Sequence, residues 1–288
     1  MNSDLNLIHR LLRLIPVVEL KKLVNDPKGK NQLTLIQEVQ STKTLDEVKR
    51  EVVRFYGHLK QHIYIFSLQG SLSSNVIQSL IEGHFNSSNG KDYFFKKYTY
   101  KVKAIDNRPT SAVRGVLESI DVVFLQPCTV EIRNNYVIVA FTILEKSLNS
   151  YLPQYGIYEA KSDEDEDDVV SDIQSTLNGS LQRLDINRGV KSMWNNDIID
   201  SKYVTFKRTS STTREVMDED LTFKETYPSD YQDVLNSPLQ NTTFRIINQH
   251  NIFCDFVSNP TEGTVSIRKY PDDINQIENV ISEIIRNN

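Results

Sequence analysis

Cysteine is nearly absent from this chain of 288 residues: only Cys128 and Cys254 occur. They form no CxxC pair and no Cys/His cluster at zinc spacing, which argues against a disulfide framework or a structural zinc site and for a reducing compartment. Long apolar runs are missing too. None approaches the roughly 20 residues that span a bilayer, and Met1-Asn2-Ser3-Asp4 is not the basic start of a secretory signal. These absences predict a soluble, intracellular protein without a membrane partner. The chain also lacks a GxxxxGK[ST] phosphate loop, a GxSxG nucleophile elbow, a Cys–His nucleophile arrangement and any repeat of fixed period. No cofactor and no metal are expected.

What the chain does have is a lopsided charge. Residues 1–115 carry eighteen Lys/Arg against ten Asp/Glu, a net of +8, whereas residues 116–288 carry fifteen against twenty-eight, a net of −13. A sign change of that size predicts a basic front that meets an anionic partner, most often nucleic acid, and an acidic remainder that does not.

Periodicity predicts short helices over the first sixty residues. Leu5, Ile8, Leu12 and Ile15 recur at helical steps, and Pro16 suits the start of a second helix. Leu33, Ile36 and Val39 mark a third, and Thr44 with Glu47 reads as a capping box opening a fourth with Leu45, Val48, Val52 and Phe55 on one side. Ile63 to Phe66 reads as a strand, and residues 67–92 as a polar loop around a short helix at 76–81. Residues 111–120 are expected to be helical, Val130 to Ile132 and Tyr136 to Leu144 to be strands joined at Arg133-Asn134-Asn135, and residues 169–184 to be a helix. The six carboxylates Asp163 to Asp168 fit a solvated loop or the charged start of that helix. A Trp194-containing turn, a strand at 203–207, a polar stretch from Thr209 to Thr242, strands at 243–247, 252–257 and 264–268, and a helix from Asp272 to Ile285 complete the expectation. The fold class is α+β: a basic, mainly helical region (1–110), then an acidic region (111–288) with a mixed or antiparallel sheet and flanking helices.

Two basic groups are candidates for phosphate contact. In Tyr93 to Lys103, YFFKKYTYKVK, Lys96, Lys97, Lys101 and Lys103 would bind phosphates while Tyr98 stacks on unpaired bases. The same alternation also fits a half-exposed strand with aromatics inward and lysines in water. Lys28 and Lys30 flank Gly29 at a helix start, where backbone N–H groups favour phosphate. His58 and His62 have ligand spacing, but Gly57 interrupts the helix that would align them.

Gly156-Ile157-Tyr158-Glu159-Ala160-Lys161 resembles the E-x-K half of the PD-(D/E)xK nuclease superfamily. The resemblance implies Glu159 on a divalent metal and Lys161 positioning the attacking water. The upstream ligand would have to be Asp121, Glu131 or Glu145, since no Asp lies between Asp121 and Asp163. In the order of their elements, LLRLIPVVELKKLV and CTVEIRNNYVIVAFTIL resemble the centromere protein N family, which implies a basic N-terminal region engaging nucleosomes and a C-terminal half binding a partner. The leading expectation is a non-catalytic, nucleic-acid-associated interaction protein whose basic part contacts DNA or RNA phosphates and whose acidic part docks a protein partner in a complex. A metal-dependent nuclease and a purely protein-binding subunit are the alternatives.

Overall fold

A computed structural model describes residues 3–25, 27–70, 84–107, 116–144, 148, 151–152, 154–162, 164–176, 181–207, 210–217, 221–247 and 256–288. Its front is helical, as the periodicity requires. Helix α1 (Ser3–Leu14) buries Ile8, Leu11 and Leu12, with Ile15 just beyond it, and α2 (Val17–Leu20) begins directly after Pro16. Helix α3 (Gln32–Thr42) is capped by Asn31, whose Oδ1 accepts from the Thr34 N–H at 3.0 Å. Its buried stripe is Leu35, Ile36 and Val39; Leu33 lies off that stripe and is exposed, as is Leu5 on α1. Helix α4 (Leu45–Arg54) opens with the expected capping box, in which Glu47 Oε2 accepts from the Thr44 N–H at 2.8 Å. Those bonds to Thr44 hold the Glu47 carboxyl below its ordinary pKa.

Twelve strands among the described residues form one antiparallel sheet: β1 (Gln61–Leu68), β2 (His84–Ser88), β3 (Lys91–Asp106), β4 (Leu117–Arg133), β5 (Tyr136–Thr142), β6 (Tyr155–Ser162), β7 (Leu181–Arg183), β8 (Ile199–Lys207), β9 (Ser211–Glu215), β10 (Leu239–Ile246), β11 (Phe256–Asn259) and β12 (Thr264–Ile267). The order is β2-β3-β4-β5-β1-β12-β11-β10-β8-β9, with β6 also on β3 and β7 on β1. Strands β1 and β3 come from the basic stretch of sequence, and they pair with β5, β12 and β4 from the acidic one.

The remaining helices are α5 (Glu166–Thr176), α6 (Asn187–Asn195), α7 (Phe223–Thr226), α8 (Pro228–Asn236) and α9 (Gln276–Arg286). Helices α1, α3, α4 and α6–α9 bury side chains with Ile63, Ile65, Tyr93, Phe95 and Ile138 on one face of the sheet. On the other face Val169 and Val170 of α5 pack with Tyr64, Phe66, Phe94, Tyr98 and Phe141. No helix among the described residues is long and apolar enough to cross a membrane.

Several expectations are corrected. Residues 117–120 are strand, not helix: they pair with Val102 to Ile105 of β3, and that long partner overrides local helical preference. The expected helix at 169–184 ends at Thr176, and Leu181–Arg183 pairs with Phe66 to Leu68 instead. Trp194 sits buried in α6 rather than in a turn, and the polar stretch from Thr209 contains β9, α7 and α8. The last helix starts at Gln276, because Asp273 Oδ1 accepts from the Asn275 N–H at 2.8 Å and competes with helical hydrogen bonding. The helix expected at 76–81 and the strand start at 252–255 lie outside the described residues.

Strands β3 and β4 outrun the rest of the sheet. They pair from Lys91 to Ile105, whereas β5 accompanies β4 only from Cys128 to Arg133. With β6 along its outer half, β3 becomes the middle of a three-stranded arm, β4-β3-β6. Val102, Ala104, Val122, Phe124 and Leu148 give the arm a small core of its own on one face.

Candidate nucleic-acid interface

Side-chain alternation decides what each face of the arm presents. Val102 and Ala104 point into the small core, so Lys97, Lys101 and Lys103 stand on the opposite face, and all three are exposed. Strand β6 adds to it: Lys101 is directly opposite Lys161, and Lys103 directly opposite Glu159. Glu159 receives Lys103 Nζ at 2.8 Å and Lys161 Nζ at 2.7 Å. The bonds from Lys103 and Lys161 hold the Glu159 carboxyl down at about 2, and its hydrogen bond and charge raise the Lys161 pKa in return. Asp121 of β4 is the second carboxylate of this face, opposite Lys101.

Four of the residues singled out in the sequence belong elsewhere. Lys96, an even position, is on the other face and pairs with Glu164 at 2.6 Å. Tyr98 is 4% exposed and packs in the core under α5, so its ring offers no surface for stacking; burial pushes its phenol far above the ordinary range. Lys28 and Lys30 occupy the turn before α3, where Gly29 takes a φ of 71° and Lys30 bonds Glu38 at 2.6 Å. Lys91 and Arg133 are used structurally, each pairing with both Glu131 on β4 and Glu278 of α9.

The structure adds one residue that sequence reasoning missed, Tyr158, and gives Arg10 of the basic helical front a definite place. Arg10 of α1 donates to the Val123 carbonyl where the edge of β4 has no β5 beside it, and its guanidinium lies 4.8 Å from the centre of the Phe124 ring. Tyr158 falls where the β3–β6 register slips, Lys103 facing Glu159 and Ala104 facing Ile157, and it is 71% exposed. Neither signal is local: each depends on which strand lies alongside.

Within the carboxylate run, Glu166, Asp167 and Asp168 form the charged first turn of α5, and Asp163 lies outside the described residues. Asp165 Oδ1 accepts from the N–H groups of Asp167 at 2.9 Å and Asp168 at 3.1 Å, and acids in a first turn suit the helix dipole. Glu166 receives Gln126 Nε2 at 2.6 Å and lies 2.8 Å from His62 Nδ1, while Asp167 bonds Arg183 at 3.1 Å. His58 is turned elsewhere, with Nδ1 3.2 Å from the Pro271 carbonyl. Among the described residues no group of three His, Cys, Asp or Glu is placed to hold a metal ion. Glu159 and Lys161 are neighbours on an exposed strand, bonded to each other.

No family model matches the chain, and no curated protein matches it either.

Proposed function

We propose that this chain is a non-catalytic, nucleic-acid-associated interaction protein that contacts phosphates through the lysine face of the arm and docks a protein partner through its acidic part. The supporting observation is the grouping of Lys97, Lys101, Lys103 and Lys161 on one face of three strands. A strand rises about 3.3 Å per residue, so Lys97 to Lys103 extends over about 20 Å, long enough for several successive phosphates. Lys101 and Lys161 stand directly opposite each other on adjacent strands, which concentrates positive charge at one point of the face. A phosphate backbone is an anion that suits such a face, and the counterions it releases make its binding salt-dependent.

The test is equilibrium binding of the full chain to single- and double-stranded DNA and RNA at about 50 mM salt, where even non-specific electrostatic contacts are visible. Binding to any of them is expected. Absence of binding to all would assign the lysine face to an acidic protein instead.

A further inference from the structure

Tyr158 directly precedes Glu159 of the lysine face, and its side chain is largely exposed. Strand β6 pairs regularly with β3 from Ser162 to Glu159, then skips one residue before Ile157 resumes opposite Ala104. Tyr158 is that extra residue. A bulge of this kind turns a side chain away from the direction strict alternation would give, and such bulges recur beside functional surfaces. Its neighbour Ile157 packs against the small core on one face, and its other neighbour Glu159 bonds Lys103 and Lys161 on the opposite face. Among the described residues β6 pairs only with β3 and so forms an edge. A 71% exposed aromatic side chain next in sequence to the carboxylate that Lys103 and Lys161 share brings together the two parts of a single-strand site, a flat apolar surface and nearby cations. Duplex bases are stacked on one another and offer no free face, whereas an unpaired base does.

We infer that Tyr158 is a stacking platform for an unpaired base and that the arm prefers single-stranded nucleic acid, DNA or RNA, over duplex. This rests on the phosphate-contact reading of the same lysine face and names its substrate class.

The experiment compares wild type, Tyr158→Ala and Tyr158→Phe on a 20-nucleotide single strand carrying 2-aminopurine, made as DNA and as RNA, and on the matching duplex. Wild type should bind the single strand more tightly than the duplex and quench the 2-aminopurine. Tyr158→Ala should weaken single-strand binding by about 5- to 100-fold, abolish the quenching and leave duplex affinity within about 2-fold, while Tyr158→Phe should keep both affinity and quenching. An unchanged Tyr158→Ala, or an equal loss on single strand and duplex, overturns the stacking assignment while leaving the phosphate contacts standing. Wild type that binds neither form overturns both.

Discussion

His62 on β1 and Glu166 at the first turn of α5 meet with Nδ1 and Oε2 2.8 Å apart, and the other oxygen of Glu166 receives the buried Gln126. The acidic run is thereby tied to the sheet at a buried amide, beyond the more exposed pairs that Glu164 and Asp167 make with Lys96 and Arg183. Its residues should therefore differ in their effect on stability. Glu166→Ala leaves the Gln126 amide with one bond fewer in a site where Gln126 is 1% exposed, and should cost about 1–2 kcal/mol, a fall of about 2–6 °C in melting temperature. Asp167→Ser removes a largely exposed pair with Arg183 and a bond with the Tyr64 hydroxyl, and should cost less than Glu166→Ala, about 1 kcal/mol or below. Equal effects would contradict the anchoring role of Glu166.

Gly263 combines a left-handed backbone with no room for a side chain. It has a φ of 63°, and a Cβ there would run into the carbonyl oxygens of Leu184 and Ile65. Its own carbonyl accepts from the Ile65 N–H at 2.9 Å, so it cannot move away without breaking the sheet. Gly263→Ala should lower stability by about 3 kcal/mol or more, whereas Gly29→Ala, with a similar φ of 71° but open space around it, should cost only about 1–2 kcal/mol. Chemical denaturation of the two variants checks the contrast.

A pH dependence follows from His9 on α1. Burial, and the neighbouring Arg13 and Arg10, lower its pKa below the ordinary value of 6.5. The unfolded chain therefore takes up this proton before the folded one does. Stability from this residue is fully present above about pH 6.5 and is lost as the pH falls through the folded-state value. His9→Gln should flatten the melting-temperature profile between about pH 7 and 5. A profile identical to wild type would show that His9 does not titrate against folding.

Glu159 separates the two readings of its own motif. On the lysine face it neutralises Lys103 and Lys161, so Glu159→Gln should tighten nucleic-acid binding by about 2- to 10-fold at low salt. For a metal-dependent nuclease the same change would instead abolish Mg²⁺- or Mn²⁺-dependent cutting by the wild type. Cutting that disappears in Glu159→Gln would overturn the non-catalytic reading.

How far the sequence could be read depended on the range of each signal. The Thr44/Glu47 box and the Asn134 turn are local, and both form where their residues predict. Two other local signals went unused. Asn89-Gly90, with φ of 53° and 76°, closes the β2–β3 hairpin, and Thr222 with Glu225 makes a second capping box inside a stretch that looked merely polar. What no local signal contained was the register of β3 against β4 and β6, strands that arrive from later in the chain. That register sends Lys97 and Lys96 to opposite faces, buries Tyr98 and brings Lys161 beside Lys101. Alternation in YFFKKYTYKVK implied two faces but not which would be covered.

The central claim concerns phosphate contact by the lysine face, and the salt dependence of binding tests it most directly. For the wild type, log K against log salt should be linear, and the simultaneous change of Lys97, Lys101 and Lys103 to Ala should make that slope shallower by about 2 on a single strand, three lost phosphate contacts at about 0.7 each, with the melting temperature held. Changing Lys96 alone should leave the slope unaltered, since it lies on the other face with Glu164. A triple variant with the wild-type slope, or a Lys96→Ala variant that loses as much as the triple, would contradict the account.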